Sequence, residues 1–412
     1  MAINAANTKA SLDGLLKDVY GDSLDNLRPD FGVLVGKIKF REAKKTGRDY
    51  VESVQLTHEH SVTYGAGLQT LAGVQPAVVD DAKVRGSAMT LRTAFSYDAA
   101  ANMVSSEGSF IDATKFKFQN LMESATYRLE LQMLYGSSEL GVVASIDNTA
   151  KTIVINAATW APGIWAAAEG APVTVVSADG LTTRFSTLVV SVSASTKTLV
   201  VSGSTTLTGA VAGDRIVFTG ALGNEMVGLR SICAAGTAQG PANLYQISSS
   251  GYGMWQGNVS AVGAANLTLK KIYDGLVPSV GKGLMEDVVV LVSPATFSTL
   301  ANDEAALRRY TATTNKGDRG VDSIKFVGAN GSIEVIIHPM VREQEALAFP
   351  IKRAERIGSS DLSFKTPGNA ASGDMFLQLP DQTGFEARLY SEQSIFLPAP
   401  AKCTLFTGIS NA

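Results

Sequence analysis

Residues 109–136 read SFIDATKFKFQNLMESATYRLELQMLYG. Within this stretch Ile111, Phe118, Leu121, Met122, Ala125, Leu129 and Met133 recur at helical spacing and fall on one stripe of an α-helix. Ser109 suits an N-cap and Gly136 a stop. A helix from Phe110 to Tyr135 spans about 39 Å at roughly 1.5 Å per residue, long enough to serve as the spine of a domain. The chain changes character on either side of it.

On the N-terminal side, residues 44 to 97 alternate apolar and polar positions in two runs, Tyr50 to Tyr64 and Val78 to Phe95. Gly65, Gly67 and Gly73 separate them, so the pattern predicts a long two-stranded hairpin. Such a ribbon is marginal alone in water and needs another surface to cover it. Before the ribbon, Leu12, Leu15, Leu16 and Val19 form a short amphipathic stretch, followed by Leu24, Leu27, Phe31, Val33 and Val35 around Pro29. This reads as an arm.

On the C-terminal side charged residues are sparse between Ser137 and Leu222, where Val, Thr, Ser, Ala and Gly dominate as in β structure. VASIDNTAKTIVI (143–155) and VSVSASTKTLVV (190–201) echo each other as strand, polar turn, Lys-Thr pair and strand. With 212–218, AGDRIVF, they predict a small barrel or sandwich. Beyond residue 223 the pattern predicts helices at Ala264 to Val277 and Ala295 to Ala301. It predicts strands at Asp287 to Val292, Ser332 to His338, Phe376 to Leu379, Phe385 to Tyr390 and Thr404 to Thr407. The fold class is α+β with an inserted all-β domain.

The chain has 412 residues, too many for one core. Its composition is 45% hydrophobic and 18% charged, which leaves less charged surface than a typical soluble monomer and favours burial against other subunits. A formal net charge of -3 argues against binding nucleic acid by wholesale phosphate neutralisation. Cys233 and Cys403 lie far apart in sequence and read as small buried hydrophobes of a reducing compartment. The first residues show no signal-peptide pattern, and no apolar run is long enough to suggest a membrane span.

Arm, hairpin, spine helix and a following α+β domain together resemble the HK97-fold capsid proteins of tailed bacteriophages. The local text most like that family is 287–297, DVVVLVSPATF, together with 333–339, IEVIIHP, leading to 346–350, ALAFP. The resemblance implies an N-arm over 1–42, an E-loop hairpin over 43–97 and a P-domain with its spine helix over 98–136. It further implies an inserted β-barrel or sandwich over 137–222, an A-domain over 223–340, and a return to the A- and P-domains over 341–412. Family members without a separate scaffolding protein often begin with a long charged helical segment. This sequence has none before its arm, so a separate scaffolding protein is expected.

Catalytic constellations are hard to find. His58 and His60 share one strand face, but His338 is the only other histidine and a zinc site normally takes three or four ligands. The glycines around 251–257 and Gly281-Lys282-Gly283 do not match dinucleotide or phosphate loops and read as turns. Some HK97-fold capsids weld neighbours through an E-loop lysine and a P-domain asparagine. Lys44, Lys45, Lys83 and Asn369 fall in those regions, without a matching motif, and solvated lysines are the simpler reading. No catalytic, cofactor or metal residues are therefore assigned, and the chain does not read as an enzyme.

Candidate subunit contacts are the basic residues Arg41, Lys44 and Lys45, which could meet acidic groups of an adjacent subunit. The aromatic and aliphatic candidates are Tyr50, Tyr64, Leu68 and Leu71. The expected function is a major capsid protein of the virion, self-assembling in the host cytoplasm into hexamers and pentamers of an icosahedral head. Expected partners are itself, a portal, a scaffolding protein, a decoration protein and packaged DNA through weak contacts. An encapsulin-type shell is the rival within the fold, and a β-rich surface adhesin the rival from another class.

Overall fold

The computed structural model describes residues 32–65, 70–96, 107–203, 205–302, 323–328, 331–364, 376–378 and 383–411. The amphipathic stretch from Leu12 to Val19, and Leu24 to Phe31 after it, lie outside the described residues.

The described chain enters through α1 (Val33–Lys37) and β1 (Phe40–Glu42), forms the ribbon β2 (Asp49–Gln55) and β3 (Val79–Arg85), and continues through β4 (Ser87–Ser96) into α2 (Glu107–Tyr135). The second run expected for the hairpin is thus not one strand. It divides at Gly86: β3 pairs with β2, whereas β4 joins a different sheet. The division follows from packing, because a Cβ at Gly86 would stand 2.8 Å from Cε2 of the Tyr50 ring beneath it.

α2 begins before Ser109, which therefore lies inside the helix rather than capping it. Leu121, Ala125, Leu129 and Met133 are buried along the expected stripe. Toward its C-terminal end Glu130, Leu131, Leu134 and Tyr135 are buried as well, because the helix runs into the molecule and is covered all round. Gly136 does stop it, but through a close approach: a Cβ there would lie 2.3 Å from the Met226 carbonyl oxygen. The left-handed residue is its neighbour Ser137, with φ of 60°.

Next come β5 (Gly141–Asp147), β6 (Thr152–Ile155), β7 (Pro172–Val176), β8 (Thr183–Ser193), β9 (Thr198–Val201) and β10 (Arg215–Phe218), which close into a barrel in the order β10-β5-β6-β9-β8-β7. The two echoed segments supply the antiparallel pairs β5–β6 and β8–β9, and these pair with each other through β6 and β9. β6 and β9 alternate half-buried and buried positions, placing Ile153, Ile155, Leu199 and Val201 inside. Closure leaves the barrel no free strand edge.

The chain then forms α3 (Leu229–Cys233), the small hairpin β11 (Asn243–Leu244) and β12 (Ile247–Ser248), β13 (Asn258–Ala265), α4 (Leu269–Gly281), β14 (Val288–Val292), α5 (Pro294–Ala301), β15 (Ser323–Gly328) and β16 (Gly331–Ile337). It ends with β17 (Glu345–Phe349), β18 (Glu355–Ser363), β19 (Phe376–Gln378), β20 (Gly384–Phe396) and β21 (Thr404–Ile409). α4 starts later than expected, because Ala264 and Ala265 complete the edge strand β13 and Thr268 supplies the N-cap.

A six-stranded sheet runs β13-β21-β17-β14-β16-β15. All five residues of β14 are buried, with Val288, Val290 and Val292 in the cluster under α4 and α5 and Val289 and Leu291 in the main core. A strand covered on both faces needs an unbroken apolar run, and 288–292 is one. The second large sheet runs β1-β18-β20-β19, with β4 also paired to β20 from Ser87↔Gln393 to Ser96↔Gly384. It packs on α2 through Leu389, Leu121 and Ala125.

Candidate subunit interface

At the base of the ribbon one face points inward. Tyr50, Val54, Ala82 and Val84 are buried, and the Tyr50 hydroxyl accepts a hydrogen bond from Ser359 N at 2.8 Å. The structure therefore corrects the expectation that Tyr50 touches a neighbour: it is an internal anchor between the ribbon and β18. Arg41 donates to Glu52 at 2.7 Å and to Glu355 at 2.8 Å, and Lys45 donates to Glu392. The bonds to Glu52 and Glu355 raise the Arg41 guanidinium above its ordinary pKa. Both cations thus brace the ribbon to their own subunit. Lys44 is exposed and makes no ion pair among the described residues.

Farther out, among the described residues between Leu56 and Val78, regular strand pairing stops. Backbone bonds persist from Leu56 N to Val78 O at 2.8 Å and from His60 N to Gln75 O at 3.1 Å. Other cross-links use hydroxyls. Thr57 Oγ1 accepts from Val78 N at 2.8 Å, Ser61 Oγ from Gln75 N at 2.6 Å and Thr63 Oγ1 from Ala72 N at 2.7 Å. The alternating pattern that predicted strands has no core here to face. Tyr64 is 88% exposed, Leu71 81%, Val74 82% and Val62 55%. Leu68 lies outside the described residues, as does Asn369. Val62 and Val74 extend the apolar set; the alternation that placed Tyr64 also covers Val62, whereas Val74 lies between the two alternating runs. His58 and His60 are on this outer part, away from the third histidine.

That third histidine does something that sequence reading missed. Glu130 of α2 accepts hydrogen bonds from Leu34 N at 2.5 Å and Val35 N at 2.9 Å, so its carboxylate closes the first turn of α1, where free amides and the helix dipole favour negative charge. His338, just after β16, places Nε2 2.9 Å from the same carboxylate. Its Nδ1 accepts from Met340 N at 3.2 Å, which leaves the proton on Nε2, donating to Glu130. Nothing in the local sequence links residues so far apart.

A second buried network joins the barrel's root to the six-stranded sheet. Arg342 is fully buried, donates to the Glu139 carbonyl and carboxylate at 2.6 and 3.1 Å, and lies 4.7 Å from the centre of the Tyr135 ring. Arg230 grips Glu345 with two donors, at 2.9 and 2.8 Å. Burial acts to raise the Glu139 pKa, but the positive charges of Arg342 and Arg230 outweigh it and hold the group below its ordinary value. Burial pushes the Tyr135 hydroxyl up to about 12. These groups tie the barrel's root to α3 and β17.

Among the described residues no group of three or more His, Cys, Asp and Glu could hold a metal ion. No described helix is long and apolar enough to cross a membrane. No protein-family model matches the chain, and no curated protein is similar to it in sequence. Among solved structures it matches a chain of the cyanophage A-1(L) capsid asymmetric unit, covering 96% of this chain and 98% of that one at a TM-score of 0.52 and 10% identity. The fold is the HK97-like capsid fold. The capsid of cyanophage P-SCSP1u is matched at a TM-score of 0.47 and 9% identity, over 97% of this chain and 94% of that chain. The capsid of the Myoviridae phage XM1 gives the same score and identity over 96% and 97%. Among the described residues, the outer ribbon gathers four exposed apolar side chains, Val62, Tyr64, Leu71 and Val74, while others such as Leu181 and Met285 stand exposed elsewhere.

Proposed function

We propose that this chain is the major capsid protein of a tailed phage, whose copies associate into hexamers and pentamers and close an icosahedral head around double-stranded DNA. The observation that carries the reading is the uncovered outer ribbon: Val62, Tyr64, Leu71 and Val74 project into solvent although each is worth about 1.5–3 kcal/mol when fully buried. Their hydroxyl-bonded frame holds them in place, and a second copy of the chain is the partner that a self-assembling shell supplies. Many such contacts, each modest, add up under symmetry.

Arg41 and Lys45 are occupied within the subunit and the net charge is -3, so contact with packaged DNA is weak and non-specific. Lys44, Tyr64, Leu68 and Leu71 remain the proposed contacts. A portal, a separate scaffolding protein and a decoration protein are proposed partners, with assembly in the host cytoplasm and residence in the virion. Electron microscopy of the protein expressed alone and with its neighbouring genes tests this. Closed shells are expected; a monomer at high concentration with the ribbon folded back on its own body would overturn it.

A further inference from the structure

β4 is an edge strand. Its residues from Ser87 to Ser96 all pair with β20, and among the described residues no strand pairs with its other side. From Ser87 to Arg92 the backbone bonds to no described strand but β20, so alternate N–H and C=O groups point away from the sheet. A cleft of about 650 Å³ runs along that side. The consecutive residues Ser87 to Leu91 line it, and because neighbouring side chains point to opposite faces, it is the strand's edge that borders the cleft. The opposite walls are Tyr127 and Gln132 of α2 and the barrel at Pro172, where β7 begins, and Phe218, where β10 ends.

The lining carries two carboxylates, Glu169 and Glu225, and one cation, Arg128, which lies over the Phe218 ring at 3.4 Å from its centre. Neither carboxylate makes an ion pair among the described residues. Burial raises the Glu225 pKa against the opposing effects of a hydrogen bond from Ser137 and the charge of Arg128, so a further cation beside it would favour the ionised form.

A surface that matches this cleft lies at the root of the ribbon. β2 is likewise an edge, paired with β3 alone in a separate two-stranded sheet. From Lys39 to Arg48 the chain carries five cations and one acid, Glu42. Arg41 and Lys45 are taken by Glu52, Glu355 and Glu392 of their own subunit, whereas Lys44 and Arg48 are exposed and make no ion pair among the described residues. Two different patches of one chain, complementary in charge and each with an open strand edge, suit a head-to-tail contact. Such contacts close into rings when the rotation between copies allows.

We propose that the cleft beside β4 seats the ribbon root of a second copy, whose Lys44 and Arg48 meet Glu169 and Glu225 and whose β2 extends the sheet through β4. The inference rests on the proposed capsid function, which supplies the second copy. Main-chain bonds along the two edges give the contact its affinity, and the charges fix its register.

The test uses the full-length protein made in a light and a heavy isotopic form, mixed before assembly and treated with a zero-length carbodiimide. Mass spectrometry of the peptides is expected to show Lys44 joined to Glu169 or Glu225, linking light chains to heavy ones. Reversing the acceptor, Glu169→Lys with Glu225→Lys, or the donor, Lys44→Glu with Arg48→Glu, should each lower particle yield by about tenfold or more. All four changes together should restore it, because the charges match again. The cross-links are read on the unaltered chain, so a variant that misfolds does not decide the matter. No cross-link at Glu169 or Glu225, cross-links confined to single chains, or cross-links to another protein would each overturn the proposal. So would a fourfold variant that melts like the parent yet assembles no better than either half. If shells form without these cross-links, the seat fails and the capsid function stands; if no shells form but light and heavy chains are joined through Lys44, the capsid function fails and the seat stands.

Discussion

Glu130 and His338 are 208 residues apart in sequence and 2.9 Å apart in space, both fully buried. The Glu130 carboxylate holds three donors at once: the ring Nε2–H of His338 and the backbone amides of Leu34 and Val35. Through it α1, α2 and the end of β16 meet at one point.

Replacing this carboxylate should release the arm. Glu130→Ala leaves three donors unmatched, two of them buried at about 1–3 kcal/mol each, for a total loss of about 3 kcal/mol. Urea unfolding of dispersed subunits measures the loss, and limited proteolysis near Gly32 to Ile38 should show new cleavage. Unchanged stability together with a protected arm would remove the anchoring role.

Arg342 should tolerate neither removal nor conservative exchange. Arg342→Ala leaves the largely buried Glu139 carboxylate without its cationic donor, at about 3–5 kcal/mol, while Arg230 still holds Glu345. Arg342→Lys keeps the charge but loses the planar fork and the stacking over Tyr135, so it should rescue only part of the loss. Thermal melts of the two variants against the parent give the ordering; equal Tm values for Lys and Arg would contradict it.

The outer ribbon should matter for assembly and not for the subunit. Tyr64→Ser with Leu71→Ser removes apolar surface that nothing described in the subunit covers, so unfolding should change by no more than about 0.5 kcal/mol per site. Particle yield under the microscope should fall to near zero. Full shells from this variant would show that the ribbon tip is not a contact.

Acid should weaken the subunit through specific carboxylates. Hydrogen bonds from Lys352 and Ser332 hold Asp287 below the usual carboxylate range, and Arg342 and Arg230 hold Glu139 below it against the opposing effect of burial. A depressed folded pKa gives stability that is complete above the unfolded value of about 4 and is lost as pH falls through the lower folded value. Urea midpoints should therefore drop steadily below about pH 4. Asp287→Asn should show a shallower drop over that window; identical slopes would exclude Asp287 as a contributor.

The features that could be read from the sequence were those with local periodicity. The α2 stripe from Leu121 to Met133 and the run 288–292 follow directly from what one helix face, or a doubly covered strand, must bury. The barrel's paired hairpins followed from repetition. The candidate contact residues were harder to place because the partners they meet within the subunit are remote in sequence. Tyr50 meets Ser359, Arg41 meets Glu355 and Lys45 meets Glu392, separations of 309, 314 and 347 residues that no window of sequence can span. Gly86 broke the expected strand for the same reason: alternation continues through it, but the pairing partner changes from β2 to β20.

The carboxylate that closes α1 also sets an order of events during synthesis. Residues 33–37 leave the ribosome before His338, and their seat is completed only when His338 has been made and β16 has joined its sheet. The arm's root is thus translated well before the residue that completes its seat. Truncated chains ending before residue 338 should leave that root open to chaperones and proteases.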